Sequence, residues 1–104
     1  VCINSSAQMV VPANVYIQDY PSYRNENWFK AYIEGVLDGM LVANQAFEAM
    51  NSRPLFCTPD NKNYWNYEDA IQLIDGTLAS RQFKPTQSIK LPLALGLIAK
   101  YPCN

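Results

Sequence analysis

Residues 25–50 read NENWFKAYIEGVLDGMLVANQAFEAM, and this stretch decides the fold. Its apolar residues recur at alternating spacings of four and three, which predicts one long amphipathic helix. Asn25 is the expected N-cap, and Glu26 lies in the first turn. The helix would be about 38 Å long, so it needs a large partner surface. Its predicted buried seam is Phe29, Ile33, Val36, Met40, Ala43, Phe47 and Met50.

Two shorter apolar stretches predict the helices that cover this one. Asn66 and Asp69 have capping-box spacing at the start of the second helix. A third helix, apolar on nearly all sides, is expected over residues 86–101, with Pro92 as a kink or a new start. The sequence therefore predicts an all-α domain of three main helices. The expected buried face of the second helix is Tyr67, Ala70, Ile71, Ile74 and Leu78.

The first 24 residues have poor helical periodicity and contain two prolines, which predicts an irregular N-terminal arm. Three tyrosines give this arm apolar area, so we expect it to lie across the helical core, residues 25–103. Residues 1–7 end in Ser5-Ser6-Ala7, a small-residue pattern that signal peptidases accept. They are either the remnant of a removed signal peptide or an ordinary terminus, and both interpretations stay open. Residues 1–104 are expected to form a single domain.

The composition excludes several classes of protein. There is no histidine, which removes Ser-His-Asp and Cys-His catalytic machinery and imidazole metal ligands. The three cysteines form no CxxC pair, and no glycine-rich phosphate motif occurs. A formal charge of −1 offers no basic surface for nucleic acid, and no apolar run is long enough to span a bilayer. We therefore expect no enzyme activity, no cofactor and no metal.

A strip of small residues runs along the long predicted helix. Ala31, Gly35 and Gly39 are spaced four residues apart, so they share one face. A strip without large side chains allows another backbone to approach closely. The approaching element is either another part of the same chain or a second copy in a homodimer. A membrane GxxxG seam is excluded, because Glu34 and Asp38 interrupt the segment.

The segment between the first two predicted helices is a candidate partner-binding loop. It covers residues 51–65, and a loop of about 15 residues without secondary structure is typically functional or pinned. Tyrosine and tryptophan are enriched at interface hot spots, and this loop ends in both. The alternative is a hydrophobic staple, in which Trp65 and Tyr67 pack against the second helix. The candidate partner-binding residues are Asp60, Asn61, Lys62, Asn63, Tyr64, Trp65 and Tyr67.

Four motifs occur in a characteristic order. They are YIEGVLDG at residues 32–39, FCTP at 56–59, IQLI at 71–74 and YPC at 101–103. In this order they resemble the Rap/Tai family of periplasmic immunity proteins, which protect bacteria from type VI secretion effectors. The resemblance covers about residues 28–103. Tyr101 replaces the phenylalanine usual in the family, and Gly39 stands where alanine is common.

This resemblance implies a small all-α periplasmic protein that binds a toxin and blocks it sterically. Family members often neutralise peptidoglycan amidases, a class of cell-wall hydrolase, and often act as dimers. The alternative, from another class, is a small periplasmic acid-stress chaperone that resembles the helical acid-protective proteins. Such a chaperone would expose apolar surface as its nine acidic side chains become protonated, below about pH 5.

A disulfide between Cys57 and Cys103 is expected. If residues 1–7 are removed, these are the two remaining cysteines, an even number that suits an oxidising compartment. The bridge would close a loop of about 46 residues and stabilise the fold by about 4 kcal/mol in the chain-entropy model. The rival pairs use Cys2. A reactive thiol would need an activating neighbour, and the nearest cation is Lys100.

Overall fold

The computed structural model describes residues 14–59 and 65–103, and these are mostly helical, which confirms the all-α class. A 3-10 helix, Ile17–Asp19, leads directly into the one-turn helix α1, Tyr20–Tyr23. The three main helices are α2 (Asn27–Asn51), α3 (Tyr67–Ser80) and α4 (Lys90–Lys100). Within these described ranges, no helix is long and apolar enough to span a membrane.

Helix α2 is the longest element, and its seam agrees with the prediction only in its first half. Of the predicted seam, Phe29 and Ile33 are buried and Val36, Met40 and Phe47 are half-buried, whereas Ala43 is exposed and Met50 is 83% exposed. Leu37, which is not in that seam, is buried. The reason is length: α2 spans about 37 Å, but α3 and α4 span only about 21 and 16 Å. The last turns of α2 therefore extend beyond the helices that cover its start.

The start of α2 also differs from the prediction. The N-cap residue is Glu26, not Asn25, and its backbone is extended. It makes no side-chain capping hydrogen bond, so α2 starts without the support that a capping side chain would give. Packing of the apolar face, more than local capping, stabilises this helix.

Helix α3 begins at the predicted capping box. The backbone N–H of Asp69 donates to Asn66 Oδ1 over 3.0 Å, and the backbone N–H of Asn66 donates to Asp69 Oδ2 over 2.9 Å. Two otherwise unpaired donors are satisfied reciprocally, which fixes the first turn. Of the predicted face, Ile71 and Leu78 are half-buried; the buried residues are Tyr67, Ala70, Leu73, Ile74 and Thr77.

Helix α4 begins at Lys90, four residues later than predicted. The preceding segment is used to hold the N-terminal arm: the N–H of Ile17 donates to Gln87 O over 2.9 Å, and the N–H of Ile89 donates to Val15 O over 2.8 Å. Pro92 is the third residue of α4, where a helix needs no N–H donor, so the chain is helical on both sides of it.

The arm is less irregular than predicted, because residues 17–23 are helical. Pro21 lies in the first turn of α1, where its fixed φ and missing N–H favour helix initiation. Val15 and Tyr20 are buried, which confirms that the described part of the arm lies across the helical core. Residues 1–13, which include the predicted signal-peptide remnant, lie outside the described residues.

Candidate functional site

The Cys57–Cys103 disulfide is present, with the two Cα atoms 5.1 Å apart. It ties the segment that follows α2 to the segment that follows α4, across 46 residues of sequence. Both sulfurs are used by this bridge, so neither of them pairs with Cys2. Both cysteines are exposed. The bridge is thus a staple at the surface, not a part of the core.

Tyr101, at the C-terminal end of α4, contacts both sides of the candidate loop. Its carbonyl oxygen accepts a hydrogen bond from the backbone N–H of Cys57 over 2.8 Å. Its ring meets the ring of Trp65 edge-on, with centroids 5.0 Å apart. We call Cys57, Trp65, Tyr101 and Cys103 the loop base. Because one residue holds positions 57 and 65, the ends of the intervening segment are fixed relative to each other.

Asn44 holds the chain just before the loop base. The backbone N–H groups of Leu55 and Phe56 donate to Asn44 Oδ1 over 2.7 and 3.2 Å. Asn44 Nδ2 donates to Phe56 O over 2.8 Å. This buried amide is satisfied by backbone groups alone. The apolar spacing of α2 gives no sign of it; its one signal is its position seven residues after Leu37 on the buried face.

Of the seven predicted partner-binding residues, the structure describes two, Trp65 and Tyr67. Asp60, Asn61, Lys62, Asn63 and Tyr64 lie outside the described residues. Trp65 is half-buried against Tyr101. The ring of Tyr67 is buried edge-on against Phe29 of α2, and its hydroxyl donates to Arg24 O. Tyr67 thus supports the core, and the predicted contact with a partner would come from Trp65 and the residues before it.

The strip of Ala31, Gly35 and Gly39 lies on the exposed side of α2. A Cβ atom built on Gly35 or Gly39 meets nothing within 4 Å. Among the residues that the structure describes, no other element therefore packs into this strip. The homodimer seam stays a prediction.

A polar cluster fastens the arm to α3. The hydroxyl of Tyr20 donates to Asp75 Oδ1 over 2.7 Å, and Arg24 Nη2 donates to Asp75 Oδ2 over 2.8 Å. Burial raises the pKa of the Tyr20 phenol well above its usual range, and the hydrogen bond to Asp75 raises it further. Burial also raises the pKa of Tyr67. Two phenols are thus kept protonated by the folded state.

We expect the free energy of unfolding to fall as the pH rises above about 10. The unfolded chain releases these phenolic protons near pH 10, whereas the folded chain retains them to higher pH, so stability is fully present below pH 10 and is lost above it. Tyr20→Phe should reduce this slope and should cost about 1 kcal/mol at neutral pH through the lost hydrogen bond. Urea unfolding across a pH series measures both effects. Tyr16→Phe, at an exposed tyrosine, is the matched control; a slope that Tyr20→Phe leaves unchanged would contradict the expectation.

The described surface carries a shallow depression and no grouped metal ligands. Within residues 14–59 and 65–103, no three acidic, cysteine or histidine side chains are grouped so that they could hold a metal ion. A shallow depression of about 470 Å³ lies between the arm and the end of α3. Its lining is largely apolar and carries one charged side chain, that of Arg81; the lining residues are Ile17, Pro21, Leu78, Arg81, Gln82 and Phe83.

Comparisons with known protein families, with curated proteins and with solved structures find no match to this chain.

Proposed function

We propose that this chain is an immunity protein that binds a type VI secretion effector, most simply a peptidoglycan amidase, and inhibits it sterically. The observation that carries the proposal is the loop base. Residues 57 and 65 are both held on Tyr101, and the disulfide adds a covalent tie to residue 103. A loop with fixed ends loses less conformational entropy on binding, so its contacts convert more fully into affinity.

The proposed location is the periplasm of the cell that produces the effector. A disulfide between exposed cysteines is typical of proteins in oxidising compartments. Removal of a signal peptide ending near residue 7 is part of the same proposal. A homodimer, formed through the strip of Ala31, Gly35 and Gly39, is part of the same proposal.

The proposed mechanism is occlusion of the effector's cleft. Tyr64 and Trp65 provide large rings with polar tips, which suits them to anchor in a pocket. The edge-on contact with Tyr101 limits the rotamers of Trp65 before binding. The four residues before them in the sequence, 60–63, are all polar. No catalytic group on this chain is required, because blocking access is enough.

Replacing either aromatic anchor tests the proposal. We expect Tyr64→Ala and Trp65→Ala each to weaken binding about tenfold or more. The unfolding midpoint of Trp65→Ala should change little, since the Trp65 side chain is only half-buried. Isothermal titration calorimetry against a catalytically inactive variant of a peptidoglycan amidase effector, the proposed partner, measures the affinity. Tyr16→Ala, at an exposed tyrosine of the arm, is the control. Unchanged affinity in both loop variants would show that the effector contacts another surface of the chain.

One observation favours the alternative, an acid-stress chaperone. Asp75 holds both Tyr20 and Arg24, so one carboxylate fastens the arm over apolar core residues. Suppression of client aggregation near pH 3, together with no binding to the hydrolase, would replace the immunity function with this one. Binding at neutral pH with no protection of clients at low pH would reject the chaperone.

A further inference from the structure

Two carboxylates hold the backbone directly after Trp65. The N–H of Asn66 donates to Asp69 Oδ2 within the capping box, and the N–H of Tyr67 donates to Glu34 Oε2 over 3.2 Å. Each of these two consecutive peptide groups is therefore fixed by a charged acceptor, and such hydrogen bonds are about twice as strong as neutral ones. The chain thus leaves the candidate loop in a defined direction.

Glu34 belongs to α2, 33 residues before Tyr67 in the chain. It is exposed, so apolar packing does not hold its side chain in place. Its carboxylate lies at the N-terminal end of α3, where the helix dipole favours negative charge. Lys30, one turn earlier on α2, places its ammonium group 5.6 Å from the centroid of the Tyr67 ring. Helix α2 therefore contacts the first residue of α3 through two charged side chains.

The ring and the backbone of Trp65 are held by different helices. The ring meets that of Tyr101, the C-cap residue of α4, edge-on. The backbone continues into the two peptide groups that Asp69 of α3 and Glu34 of α2 fix. All three main helices therefore take part in placing this one aromatic side chain.

We propose that Glu34 is a positioning residue that sets the direction of the Trp65 indole and so raises the affinity of the loop base for the effector; the gain in affinity rests on the proposed function. Without the Glu34 carboxylate, the N–H of Tyr67 loses its acceptor at the start of α3, and the backbone after the loop is freer to rotate. Trp65 would then have more orientations before binding, and ordering it would cost affinity. Glu34 itself need not touch the effector.

NMR of the indole N–H groups tests the positioning role without any partner. The chain contains two tryptophans, Trp28 and Trp65, and the signal lost in Trp65→Ala assigns them. Glu34→Ala should shift the Trp65 resonance and leave that of Trp28 unchanged. Glu34→Gln, whose amide oxygen still accepts a hydrogen bond, should leave both unchanged. Both variants are expected to fold, because Glu34 is exposed and both replacements are favourable in a helix.

A double-mutant cycle measures the consequence for binding, by isothermal titration calorimetry against the inactive amidase variant. Glu34→Ala is expected to weaken binding about fivefold, and to cause no further loss in the Trp65→Ala background. Glu34→Gln should retain the wild-type affinity. Asp38→Ala is the matched control, because it removes the same charge at an exposed position one turn further along α2, and it should leave the affinity unchanged.

The two measurements separate this inference from the proposed function. A Trp65 resonance that Glu34→Ala leaves unchanged overturns the positioning role, whatever the partner. Equal losses of affinity from Glu34→Ala with and without Trp65, or the same loss from Asp38→Ala, also overturn it, because Glu34 would then act directly or through its charge. A shifted Trp65 resonance, together with a wild-type chain that does not bind the amidase, supports the positioning role and rejects the proposed function.

Discussion

Replacing Cys57 and Cys103 together by serine is expected to lower the free energy of unfolding by about 4 kcal/mol. The bridge closes a 46-residue loop that contains the whole of α3 and α4. Without it, the unfolded chain gains the conformational freedom that the closed loop removes. A small domain is stable by only about 5–15 kcal/mol, so this is a large share of the total. Urea unfolding of the oxidised wild type and the double variant measures the difference.

The same loss should follow reduction of the wild type, because both cysteines are exposed and accessible to a thiol reagent in the folded state. Cys2→Ser is the control and should leave stability unchanged, since Cys2 does not share in this bridge. A loss below about 1 kcal/mol in the double variant would show that the bridge adds little beyond the hydrogen bond from Cys57 to Tyr101, against the chain-entropy estimate.

Gly96→Ala is expected to lower the free energy of unfolding by about 2 kcal/mol. A Cβ at this position of α4 would lie 2.8 Å from Thr77 Oγ1 and 3.1 Å from Leu73 O on α3. The Thr77 hydroxyl donates a hydrogen bond to Leu73 O over 2.7 Å, and this carbonyl group belongs to the backbone of α3. Neither neighbour can move without breaking a hydrogen bond, so α3 and α4 would have to separate.

Gly76→Ala is the matched control, because a Cβ there meets nothing within 4 Å. Alanine is favoured over glycine inside a helix, so this variant is expected to gain up to about 1 kcal/mol. Chemical unfolding of both variants measures the two changes in the free energy of unfolding. A change of the same sign in both would contradict the close approach of α3 and α4 at Gly96.

The sequence predicts the elements that are determined by local pattern. The spacing of Phe29 and Ile33 marks the buried side of α2, and Asn66 with Asp69 marks the start of α3. Both signals are contained within one or two helical turns. Met50 fits the same spacing and is nevertheless exposed, because its burial depends on the lengths of other helices.

The site was predictable in part for the same reason. Cys57 and Trp65 indicate, from the sequence alone, an aromatic loop that is held at one end by a disulfide. The double role of Tyr101 and the clamp formed by Asn44 depend on contacts between residues far apart in the chain, which no local pattern encodes. For Asn44 the one signal is its position seven residues after Leu37, because residue type alone does not distinguish a buried asparagine from one on the solvent face of a helix.

The most direct measurement is the activity of the proposed partner, a peptidoglycan amidase effector, on purified peptidoglycan as the oxidised chain is titrated in. An immunity protein that occludes the cleft should abolish hydrolysis near one chain per enzyme molecule, and the Trp65→Ala variant should need a higher concentration. Hydrolysis that continues undiminished with the oxidised wild-type chain in large excess would contradict the account.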